Sequence, residues 1–308
     1  MTSPAIAEPV SSGVQLTTGT IAAKDGTKLW YREESPANAE GPVLLCCNGV
    51  GVSVQFWEPV QQHFRGRFRT VLWDYRAHGQ SEAGPAPEAA SIEQCAEDAS
   101  ALLDGLDIRE AVVFGHSMGT AVAFELLRRR RSRVVGLVPT LGNYANAIEG
   151  FFLLPPLSRS LFAVAQLVGP RYPDEVGRWL HRFVSLPGAA EAVRLTGFVH
   201  PSLCPREQVD RYLAHLAQLD MRVYFALLAS LAHYDATDLL PTIDVPTLVV
   251  GGSRDLFAPA RSSEEMARLI PEAELYVIQG GTHAAIVEQT ELYVLRVEKF
   301  LRARMGLV

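Results

Sequence analysis

Val14 to Ile21 and Lys28 to Arg32 alternate apolar and polar positions around Asp25-Gly26, the period-two pattern of a half-buried hairpin. The pattern then changes to short, wholly apolar runs at Val43 to Cys47, Thr70 to Trp73, Ala111 to Phe114 and Val134 to Val138, which suit strands covered on both faces. Helical periodicity falls between them, over Phe56 to Phe64, Ile92 to Leu106 with Ser91 as the N-cap, and Met118 to Leu127. From Leu141 to Asp238 the alternation stops, and helical patterns such as Val209 to Leu219 and Val223 to Ala232 take over. It resumes with strands at Thr247 to Val250 and Leu275 to Ile278, and helices at Ser262 to Ile270 and Ala284 to Arg302. These runs predict an α/β fold with a mostly parallel, doubly wound sheet of about eight strands. The expected division is a tail at 1–12, a discontinuous core at 13–140 and 239–308, and an inserted helical unit at 141–238.

Composition narrows the class. The 308 residues are 48% hydrophobic and 20% charged, with glycine and proline scattered, which excludes a disordered or collagen-like chain. A net charge of -6 excludes a general basic field for nucleic acid. The one basic run, Arg128 to Arg131 with Arg133, follows a helical pattern and is expected to complement the negative end of that helix. The first 13 residues show no basic segment leading into an apolar one, so no secretory signal is expected. Phe151 to Leu157 and Leu161 to Val168 fall well short of the roughly 20 apolar residues of a spanning helix. Cys46, Cys47, Cys95 and Cys204 lack metal or disulfide spacing and read as buried free thiols, Cys46 and Cys47 on opposite faces of one strand. A soluble, cytoplasmic protein without membrane insertion is the expectation.

The chemistry-bearing residues cluster where strands end. Gly115-His116-Ser117-Met118-Gly119 joins an apolar strand to a helix, and a sharp turn there would lift the Ser117 hydroxyl out of the sheet. A serine hydroxyl needs a base. His283, in Gly280-Gly281-Thr282-His283, follows the last strand and is the candidate, while His116 reads as packing and His78 as a group holding its own loop. Asp255 follows the Thr247 to Val250 strand and would orient His283. The turn after Val134 to Val138 offers no carboxylate to compete with it. Donors for a developing oxyanion are expected from the backbone N–H groups of Met118 and of Val50, in Asn48-Gly49-Val50-Gly51.

With these motifs in hand, the sequence resembles the α/β-hydrolase superfamily, in particular its cap-bearing serine esterase and lactonase branch. The likeness rests on Asn48-Gly49 with Phe56-Trp57, on Trp73-Asp74-Tyr75-Arg76-Ala77-His78-Gly79-Gln80-Ser81, on Gly115 to Gly119, on Val245 to Asp255, and on Gly280 to His283. It departs at Asn48, where the family usually carries histidine. The resemblance implies a cofactor-independent hydrolase with catalytic Ser117, Asp255 and His283, cleaving an ester or lactone of a small molecule through an acyl-enzyme. It also implies that 141–238 forms a cap. A serine nucleophile argues against the aspartate-using dehalogenase and epoxide-hydrolase branches. No H-E-x-x-H and no dinucleotide fingerprint is present, so neither metal nor nicotinamide is expected. A carbon-carbon bond hydrolase, a perhydrolase, or a non-catalytic small-molecule receptor on the same frame remain the alternatives. Phe151, Phe152, Leu153, Leu154, Phe162, Trp179 and Phe183 could line an apolar pocket or pack the cap itself.

Overall fold

The computed structural model describes residues 6–9, 13–37, 40–145, 147 and 155–307, without side chains at 6–9, 155–159 and 161. The hairpin is present as β2 (Val14–Ala22) and β3 (Lys28–Pro36), in register from Val14↔Pro36 to Ala22↔Lys28. Its turn is closed by Asp25, whose Oδ1 accepts from the Thr27 N–H at 3.0 Å and the Thr27 hydroxyl at 2.7 Å. Residues 1–12 carry no predicted element, yet the backbone of Ile6–Pro9 forms β1 against β2. The physical reason is the open side of β2, whose unpaired groups accept another strand, and Pro9 is tolerated because an edge strand needs no complete donor row.

Next come β4 (Val43–Cys47), α1 (Glu58–Phe64), β5 (Thr70–Trp73), α2 (Ile92–Gly105), β6 (Ala111–His116), α3 (Met118–Arg129) and β7 (Val134–Thr140). The Ser91 hydroxyl caps α2 by accepting the Gln94 N–H. After a helical stretch the chain adds β8 (Leu248–Gly252), α9 (Ala260–Leu269), β9 (Glu274–Ile278), α10 (Ala285–Glu288) and α11 (Thr290–Met305). The single final helix predicted from periodicity is broken at Gln289, which leaves helical backbone space at φ -133°. Strands run in the order β1-β2-β3-β5-β4-β6-β7-β8-β9, parallel from β5 onward. The eight expected strands are β2 to β9, and β1 adds a ninth at the edge.

Alternation within the buried strands splits the core into two layers. Leu45, Cys47, Val71, Trp73 and Val113 face α2 and α3, whereas Leu44, Cys46, Leu72, Val112 and Phe114 face α1 and α11. Every residue of β4, β5 and β6 is buried. The four thiols are free and buried, and Cys46 and Cys47 sit in different layers. The junction of β7 and β8 is thinner. Leu137 N–H donates to Pro246 O at 3.0 Å and Leu141 N–H to Val250 O at 2.8 Å, but Pro139 between them has no N–H to give.

Between β7 and β8 lie α4 (Pro155–Val168), α5 (Pro173–Val184), α6 (Ala189–Leu195), α7 (Arg206–Leu216) and α8 (Met221–His233). Among the described side chains of these helices, only those of α8 enter the main core, through Val223, Leu227 and Leu231. Elsewhere the segment builds two small clusters of its own, around Val209 and Leu213 and around Met221 and Phe225. No helix among the described residues is long and apolar enough to cross a membrane. The basic run does more than complement a helix end: Arg128 pairs with Asp238, Arg129 with Glu125, Arg130 and Arg133 with Asp104, and Arg131 with Asp244.

Candidate active site

Ser117 sits between β6 and α3 with φ 54° and ψ -118°, a left-handed conformation that costs a non-glycine residue about 1–3 kcal/mol. The surroundings enforce it. Ser117 N–H donates to Thr140 O, and Ser117 O accepts from Thr120 N–H, both at 3.0 Å. The flanking glycines are steric requirements: a Cβ on Gly115 would collide with Gly119 O, and one on Gly119 with Cys47 O. The hydroxyl is thereby carried to the carboxyl edge of the sheet, half-buried.

Asp255 and His283 arrive at that same edge from the loops after β8 and β9. Ser117 Oγ lies 2.9 Å from His283 Nε2, and His283 Nδ1 lies 2.8 and 3.1 Å from the two oxygens of Asp255. A carboxylate only accepts, so Nδ1 carries the proton and Nε2 is left to accept from the serine. Asp255 Oδ1 also accepts from the N–H groups of Phe257 at 2.8 Å and Ala258 at 2.9 Å, which fixes the carboxylate. The Asp255 side chain is fully buried, whereas that of His283 keeps 18% of its surface exposed. The bearing loops are laced together by Arg254 N–H to Gly281 O at 2.9 Å and Gly280 N–H to Ser253 Oγ at 2.8 Å. Thr282, the residue before the histidine, donates its hydroxyl to buried Glu288 at 2.8 Å, and Glu288 also accepts His200 N–H at 2.5 Å from the helical segment.

The structure thus brings Ser117, His283 and Asp255 together as expected from their strand-end positions. It also adds groups that the sequence reading missed. The His283 ring lies between Phe257, at 4.8 Å, and His116, at 5.0 Å. Phe198 of the helical segment packs on Phe257 at 4.8 Å. Phe257 was open to discovery, since it stands two residues after Asp255 in one tight turn; Phe198 has no such signal. His116 packs on Phe56 at 4.3 Å, as a packing residue should, but its Nε2 also donates to His283 O at 2.9 Å. Burial holds its pKa well below the ordinary value, which keeps the ring neutral. Among the aromatic residues weighed for a pocket, Trp179 is 64% exposed and stacks on Phe183 at 5.8 Å. Phe162 is partly buried, and Phe151, Phe152, Leu153 and Leu154 lie outside the described residues.

The loop after β4 runs past the serine. A Cβ on Gly49 would lie 3.1 Å from Ser117 Cβ, so glycine lets this backbone approach the hydroxyl. Asn48 Nδ2 donates to Trp73 O at 2.7 Å, and Val54 N–H to Asp74 Oδ1 at 3.0 Å. Burial lifts the Asp74 pKa to about 6. Val50 follows Gly49, and Met118 opens α3; among the described residues neither N–H has a protein acceptor. No group of three or more histidine, cysteine or acidic side chains suited to a metal occurs among the described residues.

The chain as a whole is similar to known proteins. The chain is 29% identical over 259 residues to the magnesium-chelatase 30 kDa subunit of Rhodobacter capsulatus, covering 82% of this chain and 84% of that protein. It is 26% identical over 270 residues to the putative carbamate hydrolase RutD of Rhizobium rhizogenes, covering 86% and 94% of the two chains. The crystal structure of the enol-lactonase from Burkholderia xenovorans LB400 superposes with a TM-score of 0.75 at 25% identity, over 92% of this chain and 99% of that one. The model of the alpha/beta hydrolase fold matches residues 42–290. The chain belongs to the α/β-hydrolase fold family and is a hydrolase.

Proposed function

We propose that this hydrolase cleaves a carboxylic ester or lactone of a small, apolar substrate, with Ser117 as nucleophile, His283 as acid-base and Asp255 as its orienting carboxylate. The observation that carries this reading is the continuous hydrogen-bonded line from Asp255 through His283 to a serine held in strained backbone. Ser117 Oγ attacks the carbonyl carbon as its proton moves to His283 Nε2. The new alkoxide is received by the N–H groups of Val50 and Met118. Collapse expels the alcohol, which takes the proton from His283; in a lactone it stays tethered. Water, deprotonated by His283, then releases the acid and restores Ser117. No cofactor or metal enters this cycle.

Residues 141–238 act as a cap on a core made of 13–140 and 239–308. Phe198 and Phe257 beside His283 favour an apolar leaving group. The likeness to an enol-lactonase supports the lactone class. A carbamate is the second substrate class, supported by the likeness to RutD and open to the same acyl transfer. The buried free thiols suit a reducing, cytoplasmic setting.

The test is a panel of p-nitrophenyl esters, enol-lactones and carbamates, run on the protein and on Ser117→Ala, with fluorophosphonate labelling of both. Turnover and labelling should occur only with Ser117 present. Labelling that survives the substitution overturns the assignment. Saturable binding without turnover across the panel would instead indicate a receptor.

A further inference from the structure

The segment after β5 grips the loop after β4 at a point no catalytic step uses. His78 is wholly buried; its Nδ1 lies 2.8 Å from Arg76 O and its Nε2 2.9 Å from Gly51 N. A carbonyl can only accept and an N–H can only donate. Both contacts are therefore satisfied by one state alone, the neutral ring protonated on Nδ1. Burial holds the ring pKa at about 4, so that state persists at neutral pH.

What the grip fixes follows from peptide geometry. Val52 N–H donates to Gly49 O at 3.3 Å, closing a turn over Gly49 to Val52. A peptide unit is planar and trans, so when Gly49 O points into the turn the Val50 N–H of the same unit points out of it. The next unit is set by Gly51 N–H on His78, and Gly51 sits at φ +74°, where a side chain would be strained. Both planes beside Val50 are thus held, one by the turn and one by His78. The ring itself is anchored: it bonds to the carbonyl of Arg76, whose guanidinium is locked between Asp25 and Asp98 at 2.6 Å from each. A partly buried ion cluster, a carbonyl, an imidazole and a backbone N–H thereby form one line ending beside Val50.

We propose that His78 is a positioning residue which aims the Val50 N–H at the developing oxyanion; this rests on the hydrolytic reading given above. Two near-isosteric substitutions separate aiming from packing. The amide of His78→Gln reaches the position of Nε2 and can accept from Gly51 N–H, whereas that of His78→Asn reaches only the position of Nδ1. His78→Asn should lower kcat about 10- to 100-fold, as misaimed oxyanion donors do, with KM within about twofold. It should weaken a boronic acid transition-state analogue by the same factor, and His78→Gln should regain most of both.

Equal losses in the two variants, or a loss confined to KM or to the melting temperature, overturn the proposal. A measurement on the unaltered protein guards against variants that fail to fold: 15N NMR should find His78 protonated on Nδ1, with a scalar coupling between Nε2 and the Gly51 N–H. Protonation on Nε2 overturns it too. Ser117→Ala assayed in parallel tells the two readings apart. If that variant still turns over substrate, the hydrolytic reading falls and takes this one with it. If it is dead while His78→Asn keeps full activity, only the role of His78 falls.

Discussion

The sheet and the helical segment between β7 and β8 bury their apolar residues to very different degrees. In the sheet, every position of β4, β5 and β6 is covered from both sides. In the segment, Leu195 is 85% exposed, and nine of the twelve exposed large apolar side chains among the described residues lie between Val164 and Tyr212. The attachment differs as well. Apart from α8, the segment meets the core at scattered points, such as Arg211 to Glu58 at 2.8 Å, His200 N–H to Glu288 and Phe198 on Phe257. A close-packed layer holds reacting atoms at fixed separations, whereas weakly buried helices can adjust to what lies beneath them. The contrast teaches that rate should reside in the sheet edge and selectivity in the segment.

The sharpest way to break that contrast is to remove chemistry from the sheet edge. Asp255→Asn should cost about 10,000-fold in kcat with the fold intact, measured by steady-state kinetics and circular dichroism. A loss under tenfold would deny the carboxylate its orienting role. Packing comes next. Phe124→Ala should destabilise by about 3–5 kcal/mol in urea unfolding, because Phe124 is fully buried. Leu195→Ala should stay within about 0.5 kcal/mol. Comparable costs at the two sites would erase the distinction.

Acid should act on the fold through its neutral histidines, His78 and His116 near the sheet edge and His215 in α7. Burial lowers the pKa of His78 and of His215 to about 4, and that of His116 well below its usual value. The unfolded chain takes up protons near the ordinary histidine pKa of about 6.5 and the folded chain does not. Their stabilisation is therefore complete above about pH 6.5 and drains away as pH falls toward 4. Asp74, raised to about 6, favours the folded state as it protonates and opposes the trend. Three histidines outweigh one aspartate, so urea midpoints should fall as pH drops across this window. A rising or level midpoint would refute the neutral-ring assignment.

The smallest effect should come from the link between segment and core. Arg211→Ala should change stability by no more than about 1 kcal/mol, because that pair is partly solvated. It should nevertheless speed proteolytic nicking of α4 to α7 and shift KM more than kcat. An unchanged KM with a depressed kcat would place Arg211 with the sheet instead.

The same contrast governed what could be read in advance. Runs such as Val-Leu-Leu-Cys-Cys announce a doubly covered strand because both faces are apolar, and Ser117, Asp255 and His283 were legible because each lies in the turn after a strand. The grip of His78 on Gly51 and of Asn48 on Trp73 O was not, since a side chain meeting a distant backbone group leaves no period. Phe198 escaped for a related reason: its partner Phe257 belongs to another part of the chain. The arginines at 128 to 133 suggested a helix terminus, but apart from Glu125 in the same helix their carboxylate partners, Asp104, Asp238 and Asp244, are set by tertiary packing.

Pro139 bears on how the molecule is made. Ser117 leaves the ribosome 166 residues ahead of His283. At about 5–20 residues per second, that interval lasts roughly 8 to 33 seconds. For most of it β7 waits without β8, an apolar edge in a crowded cell and an invitation to mispair. The proline withholds a donor on the very side where β8 will dock, between the N–H groups of Leu137 and Leu141. A nascent chain with a blunted edge has time to complete its helices before a neighbour can capture it, and the nucleophile stays without its base until His283 has followed.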